Sequence, residues 1–142
     1  MNVTDIGRVI EGYKLDSQTH DLVLEDIIEI TCEGKSACDE PLAVVLGGQP
    51  ASGKSNLISW CMKNYFPDGN VCVVNGDEFR SMHPKSEEIY RLREELYAEI
   101  TDADVRTWTR DVLEHCTVYR AAITSSSRAP CALMPCVTPL RG

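Results

Sequence analysis

The chain has 142 residues, a net charge of −8 and a pI near 4.8. That length supports one domain with a core of its own. The acidic balance excludes nucleic acid as a partner, because such a surface needs a basic face.

In chain order, Ile6, Val9, Ile10 and Tyr13 recur at i, i+3, i+4 and i+7 and predict a short helix, capped by Thr4 or Asp5. A second helix opens at Asp21, with Val23, Leu24, Ile27, Ile28 and Ile30 apolar, and stops at Glu33-Gly34-Lys35-Ser36. Residues 1–40 thus read as an N-terminal helical hairpin covering a sheet. Leu42-Ala43-Val44-Val45-Leu46 is a continuous apolar run, the pattern of a parallel strand buried on both faces. A helix over Asn56–Tyr65 follows, then a turn at Phe66-Pro67-Asp68-Gly69-Asn70 and a second buried strand, Val71-Cys72-Val73-Val74-Asn75. Two strands joined by a helix make a βαβ unit, so the expected fold is α/β with a parallel sheet and flanking helices. One further helix starts at Ser86 with Ile89, Leu92, Leu96 and Ile100 at helical spacing, and another spans Asp104–Cys116.

Between the first strand and its helix stands Gly48-Gln49-Pro50-Ala51-Ser52-Gly53-Lys54-Ser55, a match to G-x-x-x-x-G-K-[ST]. The two glycines let the backbone curl until successive N–H groups point at phosphate oxygens, and the helix N-terminus adds unpaired donors. Lys54 is expected to reach the β- and γ-phosphates of ATP, and Ser55 to ligate Mg²⁺. Gly76-Asp77-Glu78-Phe79-Arg80 leaves the carboxyl end of the second strand, the edge where open α/β sheets bind ligands. The expected architecture is therefore a P-loop NTPase core over residues 41–120. A regulatory GTPase is excluded, since no Asn-Lys-x-Asp run occurs.

Seven cysteines are present, Cys32, Cys38, Cys61, Cys72, Cys116, Cys131 and Cys136, with no C-x-x-C among them. Cys61 and Cys72 read as small buried hydrophobes. His20, His83 and His115 pair with nothing at zinc spacing, so no structural metal is expected. With no apolar stretch of membrane-spanning length and no signal peptide, no membrane partner is expected and a reducing cytoplasm is the expected location.

The phosphate loop, its flanks Val44-Val45-Leu46-Gly47, the run Asn75-Gly76-Asp77-Glu78-Phe79-Arg80 and then His83-Pro84 together resemble the zeta toxin family over Leu22 to about Tyr119. The resemblance implies a P-loop kinase that phosphorylates the 3′-hydroxyl of UDP-N-acetylglucosamine, commonly the toxin half of a toxin–antitoxin pair, so an antitoxin protein is an implied partner. By position, Lys54 is the family's phosphate-loop lysine, Ser55 the Mg²⁺-holding hydroxyl and Asp77 the base on the sugar hydroxyl. A carboxylate facing the γ-phosphate across that edge is chemically suited to accept the hydroxyl proton. Arg80 is expected to touch substrate phosphate, and His83-Pro84 to shape the loop. Two other readings stand beside this one: another small-molecule P-loop kinase, and a non-catalytic fragment that binds an antitoxin.

The tail departs from the family. No acidic residue follows Glu114, and Pro130, Pro135 and Pro139 break any pattern. Relatives carry a third strand here, then Glu-Gly-Thr and later arginines. Permissible codons for Ala122 to Ala132, read two nucleotides out of register, spell Asn-Tyr-Ile-Ile-Ile-Glu-Gly-Thr-Met-Arg, a strand running into that motif. The expectation is a C-terminally truncated, frame-shifted chain, with an incomplete sheet, a disordered tail over 121–142, weak nucleotide binding and little turnover. Sequencing the coding DNA checks the shift: codons incompatible with it would end the idea.

Overall fold

The first apolar stripe folds as α1 (Val3–Tyr13), and its cap is Asn2, whose Oδ1 accepts the Asp5 N–H at 2.9 Å, rather than Thr4 or Asp5. The second helix, α2 (Ser17–Cys32), begins ahead of the predicted Asp21. Asp16 caps it, accepting the Thr19 N–H at 2.8 Å and so satisfying a donor that the first turn leaves open. Gly34, in the left-handed region at φ 70°, closes the exit from α2. This computed structural model describes residues 2–36, 43–47, 54–122 and 131–136.

Three strands, β1 (Ala43–Gly47), β2 (Val71–Val73) and β3 (Cys131–Cys136), form a parallel sheet in the order β1-β3-β2. The crossover from β1 to β2 runs through α3 (Lys54–Tyr65), but these two strands do not pair with each other. β3 lies between them, with Val44 opposite Leu133 and Cys72 opposite Ala132. β3 thus falls inside the stretch 121–142 that the sequence reading expects to be disordered. Cys131-Ala132-Leu133-Met134 is an apolar run suited to a central parallel strand, hidden from pattern reading by the prolines at either end. Pro135 lies past the end of the pairing with β2, so its missing N–H touches at most the ladder to β1. Among the described residues the outer edges of the sheet belong to β1 and β2. Residues 123–130 and 137–142 of the predicted tail lie outside the described ones.

The alternation of β2 sorts the two faces of the sheet. Cys72 and Val74 join Ile27 of α2 and Val105, Trp108 and Val112 of a long C-terminal helix in one core cluster. Val71 points the other way, to Cys61 and Phe66 at α3. Helices therefore cover both faces, as a parallel sheet requires.

Beyond β2 the chain makes one short turn of helix, α4 (Gly76–Phe79), then α5 (Ser86–Arg93) and α6 (Tyr97–Ala122). The helix expected to run from Ser86 through Ile100 is broken by a 3₁₀ turn at Glu94–Leu96, entered through Arg93 at φ −144°. The break lets α5 fold back against α6, so that Ile89 and Ile100 are both buried while Leu92 is left exposed. α6 starts well before the predicted Asp104 and takes in the buried Ile100, which the sequence pattern placed in the preceding helix.

A polar knot ties the N-terminal helices to α6. Asp104, almost fully buried, accepts the His20 Nδ1–H at 2.7 Å and the Leu15 N–H at 3.3 Å. The fully buried Trp108 stacks on the His20 ring and donates its indole N–H to the His20 carbonyl at 3.0 Å. His83 is buried against the same knot, donating Nε2–H to the Tyr13 carbonyl at 3.1 Å and accepting the Lys85 N–H on Nδ1. These contacts make His83 a fastener of its loop.

Candidate active site

β1 and β2 run parallel, so their carboxyl ends lie on one edge of the sheet. β1 ends at Gly47 and α3 begins at Lys54, so the connection between strand and helix is the short run 48–53. Gly48, Gln49, Pro50, Ala51, Ser52 and Gly53 lie outside the described residues, and Lys54 and Ser55 are described as the opening residues of α3. The start of that 12-residue helix carries unpaired N–H groups and the positive end of its dipole, the endowment an anion needs. A lysine and a serine opening a helix are residue types suited to the phosphates of a nucleoside triphosphate and its Mg²⁺.

The second half of the candidate site is α4, which follows the carboxyl end of β2. Its backbone is pinned from three sides. Asn75 Oδ1 accepts the Asp77 N–H at 3.2 Å, Gly76 is pressed against α6, and Phe79 is buried in the core. Asp77 is left facing outward, with its side chain 64% exposed. Its carboxylate has a cation near by: Arg80 Nε stands 3.5 Å from Asp77 Oδ1.

Arg80 is itself immobilised. Its Nη1 donates to the Ala98 carbonyl and to Thr101 Oγ1, both at 2.9 Å, and Nη2 lies 3.6 Å from Asp102. A guanidinium held in this way acts as a strut from α6 to Asp77. Thr101 and Asp102, which hold it, carry no signal in the sequence, because they lie on a different helix from Arg80. Asn75, the cap of α4, is legible in hindsight as an Asn directly before Gly-Asp.

A cavity of about 400 Å³ opens elsewhere, along the outer edge of β2, lined by Ile27, Lys35, Val73, Glu78 and Phe79 among others. It does not include Asp77, and β2 is separated from β1 by β3, so it is not the phosphate cradle. Among the described residues no helix is long and apolar enough to cross a membrane.

Comparison with known proteins adds to this geometry. The sequence profile of the family described as Zeta toxin matches residues 28–124. A toxin zeta of Enterococcus hirae and one of Streptococcus pyogenes are each 34% identical over 103 residues, which is 72% of this chain and 30% of each relative. The toxin PezT of Streptococcus pneumoniae serotype 4 is 33% identical over 69 residues, 49% of this chain and 26% of the relative. The chain thus spans about a third of the length of the curated relatives it matches. A solved structure from the PezAT chromosomal toxin–antitoxin system of Streptococcus pneumoniae has a TM-score of 0.74 at 20% identity, covering 88% of this chain and 48% of the other. That match shows a shared fold.

Proposed function

Since the chain belongs to the zeta toxin family, we propose that it carries the nucleotide-binding half of an ATP-dependent phosphotransferase acting on the 3′-hydroxyl of UDP-N-acetylglucosamine. The observation that carries this reading is the convergence of two features on one sheet edge. The phosphate-loop sequence leads from β1 into the N-terminus of α3, and Asp77 stands just past β2, held out from a rigid turn.

In this reading the backbone N–H groups of Gly48 to Gly53 cradle the phosphates, and Lys54 neutralises the β- and γ-oxygens. Mg²⁺, held by Ser55, supplies further charge neutralisation to the triphosphate when bound. Asp77 accepts the proton of the acceptor hydroxyl as its oxygen attacks in line. Arg80 orients the Asp77 carboxylate and lends positive charge to a phosphate of the acceptor. An antitoxin is the matching protein partner. The reading is supported by the toxin–antitoxin neighbour and by the exposed apolar residues Leu57, Trp60 and Tyr65 along α3.

The test has two readings on one preparation. Calorimetric titration of ATP with Mg²⁺ into the chain should give measurable binding that Lys54→Ala weakens more than about tenfold, a loss of roughly 1.4 kcal/mol. Mass spectrometry of UDP-N-acetylglucosamine incubated with ATP should show slow phosphorylation that Asp77→Asn removes while nucleotide binding is kept. Binding indifferent to Lys54→Ala, or turnover indifferent to Asp77→Asn, would refute it.

A further inference from the structure

Cys32 ends α2, Cys72 sits in the middle of β2, and Cys116 lies in the C-terminal half of α6. Their sulfur atoms lie within 4.8 Å of one another, and all three are free thiols. Cys72 and Cys116 are buried, and Cys32 is half-buried at the rim. Nothing in the proposed phosphotransfer uses them.

The spacing decides between two chemistries. Three thiolates bound to one cation at about 2.3 Å stand roughly 3.8–4.0 Å apart, so the cluster needs to contract by no more than about 1 Å. A disulfide needs two sulfurs at about 2.05 Å, up to roughly three times that movement, and leaves the third thiol unused. The geometry points to a binding site for a single thiophilic d¹⁰ cation, the class of Zn(II), Cd(II) and Cu(I), formed by the sulfurs of Cys32, Cys72 and Cys116.

The surroundings suit such an ion. The rim at Cys32 is its way in, and the buried faces of Cys72 and Cys116 keep water from competing. Each thiol that binds as thiolate releases its proton to solvent, so a divalent ion with three thiolates carries one net negative charge. Lys35, anchored on the Gly69 carbonyl at 2.8 Å, puts a positive charge close enough to act on Cys72 and offsets it. The bound ion joins α2, β2 and α6, so it clamps α2 onto the sheet. It would stabilise the fold through residues that are no part of the phosphate-loop sequence.

Cd(II) is the probe, titrated into the full chain kept reduced by a phosphine in the absence of oxygen. The sulfur-to-cadmium charge-transfer band in the ultraviolet should saturate at one equivalent, and Tm should rise with it. The band should survive Cys61→Ser, since that thiol packs on the opposite face of the sheet. It should also survive the joint replacement of Cys38, Cys131 and Cys136 by serine. In Cys32→Ser, changed at the rim, affinity should fall more than about a hundredfold, beyond the 10–100-fold that outer-shell changes alone cost. X-ray absorption of the one-equivalent wild-type complex counts the sulfur neighbours without any substitution and should find three. Fewer sulfurs, a band unchanged in Cys32→Ser, or a band lost with the other cysteines overturns the site. These readouts are independent of ATP binding and of turnover.

Discussion

Gly76, next to Asp77, packs against α6, and replacing it with alanine tests how that turn is held. An added Cβ would stand 2.9 Å from Thr109 Oγ1 and 3.5 Å from Val105 Cγ1. The first distance is well inside van der Waals contact. The Thr109 hydroxyl cannot retreat freely, because it donates to the Val105 carbonyl at 2.7 Å. Either that bond is lost, at about 0.5–1.5 kcal/mol, or α4 lifts from α6, with an overpacking cost of about 1–3 kcal/mol. Alanine's better helix propensity, a helix-interior effect, returns little at the first residue of a four-residue helix. The net expectation for Gly76→Ala is a loss of about 1–2 kcal/mol, read as a fall in Tm of roughly 2–8 °C in thermal unfolding followed by circular dichroism. Thr109→Ala removes the obstructing oxygen, so the double variant should be less destabilised than the sum of the single ones by about 1 kcal/mol. Full stability of Gly76→Ala, or strict additivity in the cycle, would show that the close approach does not hold the turn.

Asp104→Ala strips the acceptor from His20 Nδ1 and the Leu15 N–H, two donors in the interior. It should cost about 2–3 kcal/mol in urea denaturation, and a loss under 0.5 kcal/mol would mean that the polar knot is not holding the helices together. The His83 pKa is depressed below its ordinary value of 6.5, first by burial, although the Tyr13 carbonyl and Asp104 pull the other way and Lys85 adds to the depression. The unfolded chain therefore binds the proton more readily, so His83's share of stability is complete above about pH 6.5 and is lost as pH falls below it towards the folded-state value. Denaturation midpoints of wild type and His83→Gln should converge on acidification from neutral pH; a gap that widens would reverse the sign of the argument.

How much could be read from the chain alone differs from element to element. α1 through β2 were legible to within a few residues because their apolar residues recur at 3.6 or run unbroken, and each connection has its own turn chemistry. The break at Arg93–Glu94 was not legible, since Ile89 and Ile100 would share a face of one straight helix just as well. β3 was not legible for a different reason. A central strand shows only a short apolar run, and here prolines bracket it. On the site, the phosphate-loop run and Asp77 stand out by spacing and by their place after strands. Arg80 is visible too, but its fastening to Ala98, Thr101 and Asp102 is a property of how α6 crosses α4.

Sequence by itself determined the local chemistry: the strand–loop–helix order around Lys54, the acidic residue after β2, and the family to which those motifs belong. Each of these depends on neighbours within a few residues, where spacing and backbone preference act directly. Only the tertiary structure decided which distant groups meet. It placed β3 between β1 and β2, turned Arg80 into a strut, and brought three thiols from α2, β2 and α6 within 4.8 Å. The physical reason is that such encounters are settled by which faces of the helices bury against the sheet, and burial is indifferent to separation along the chain.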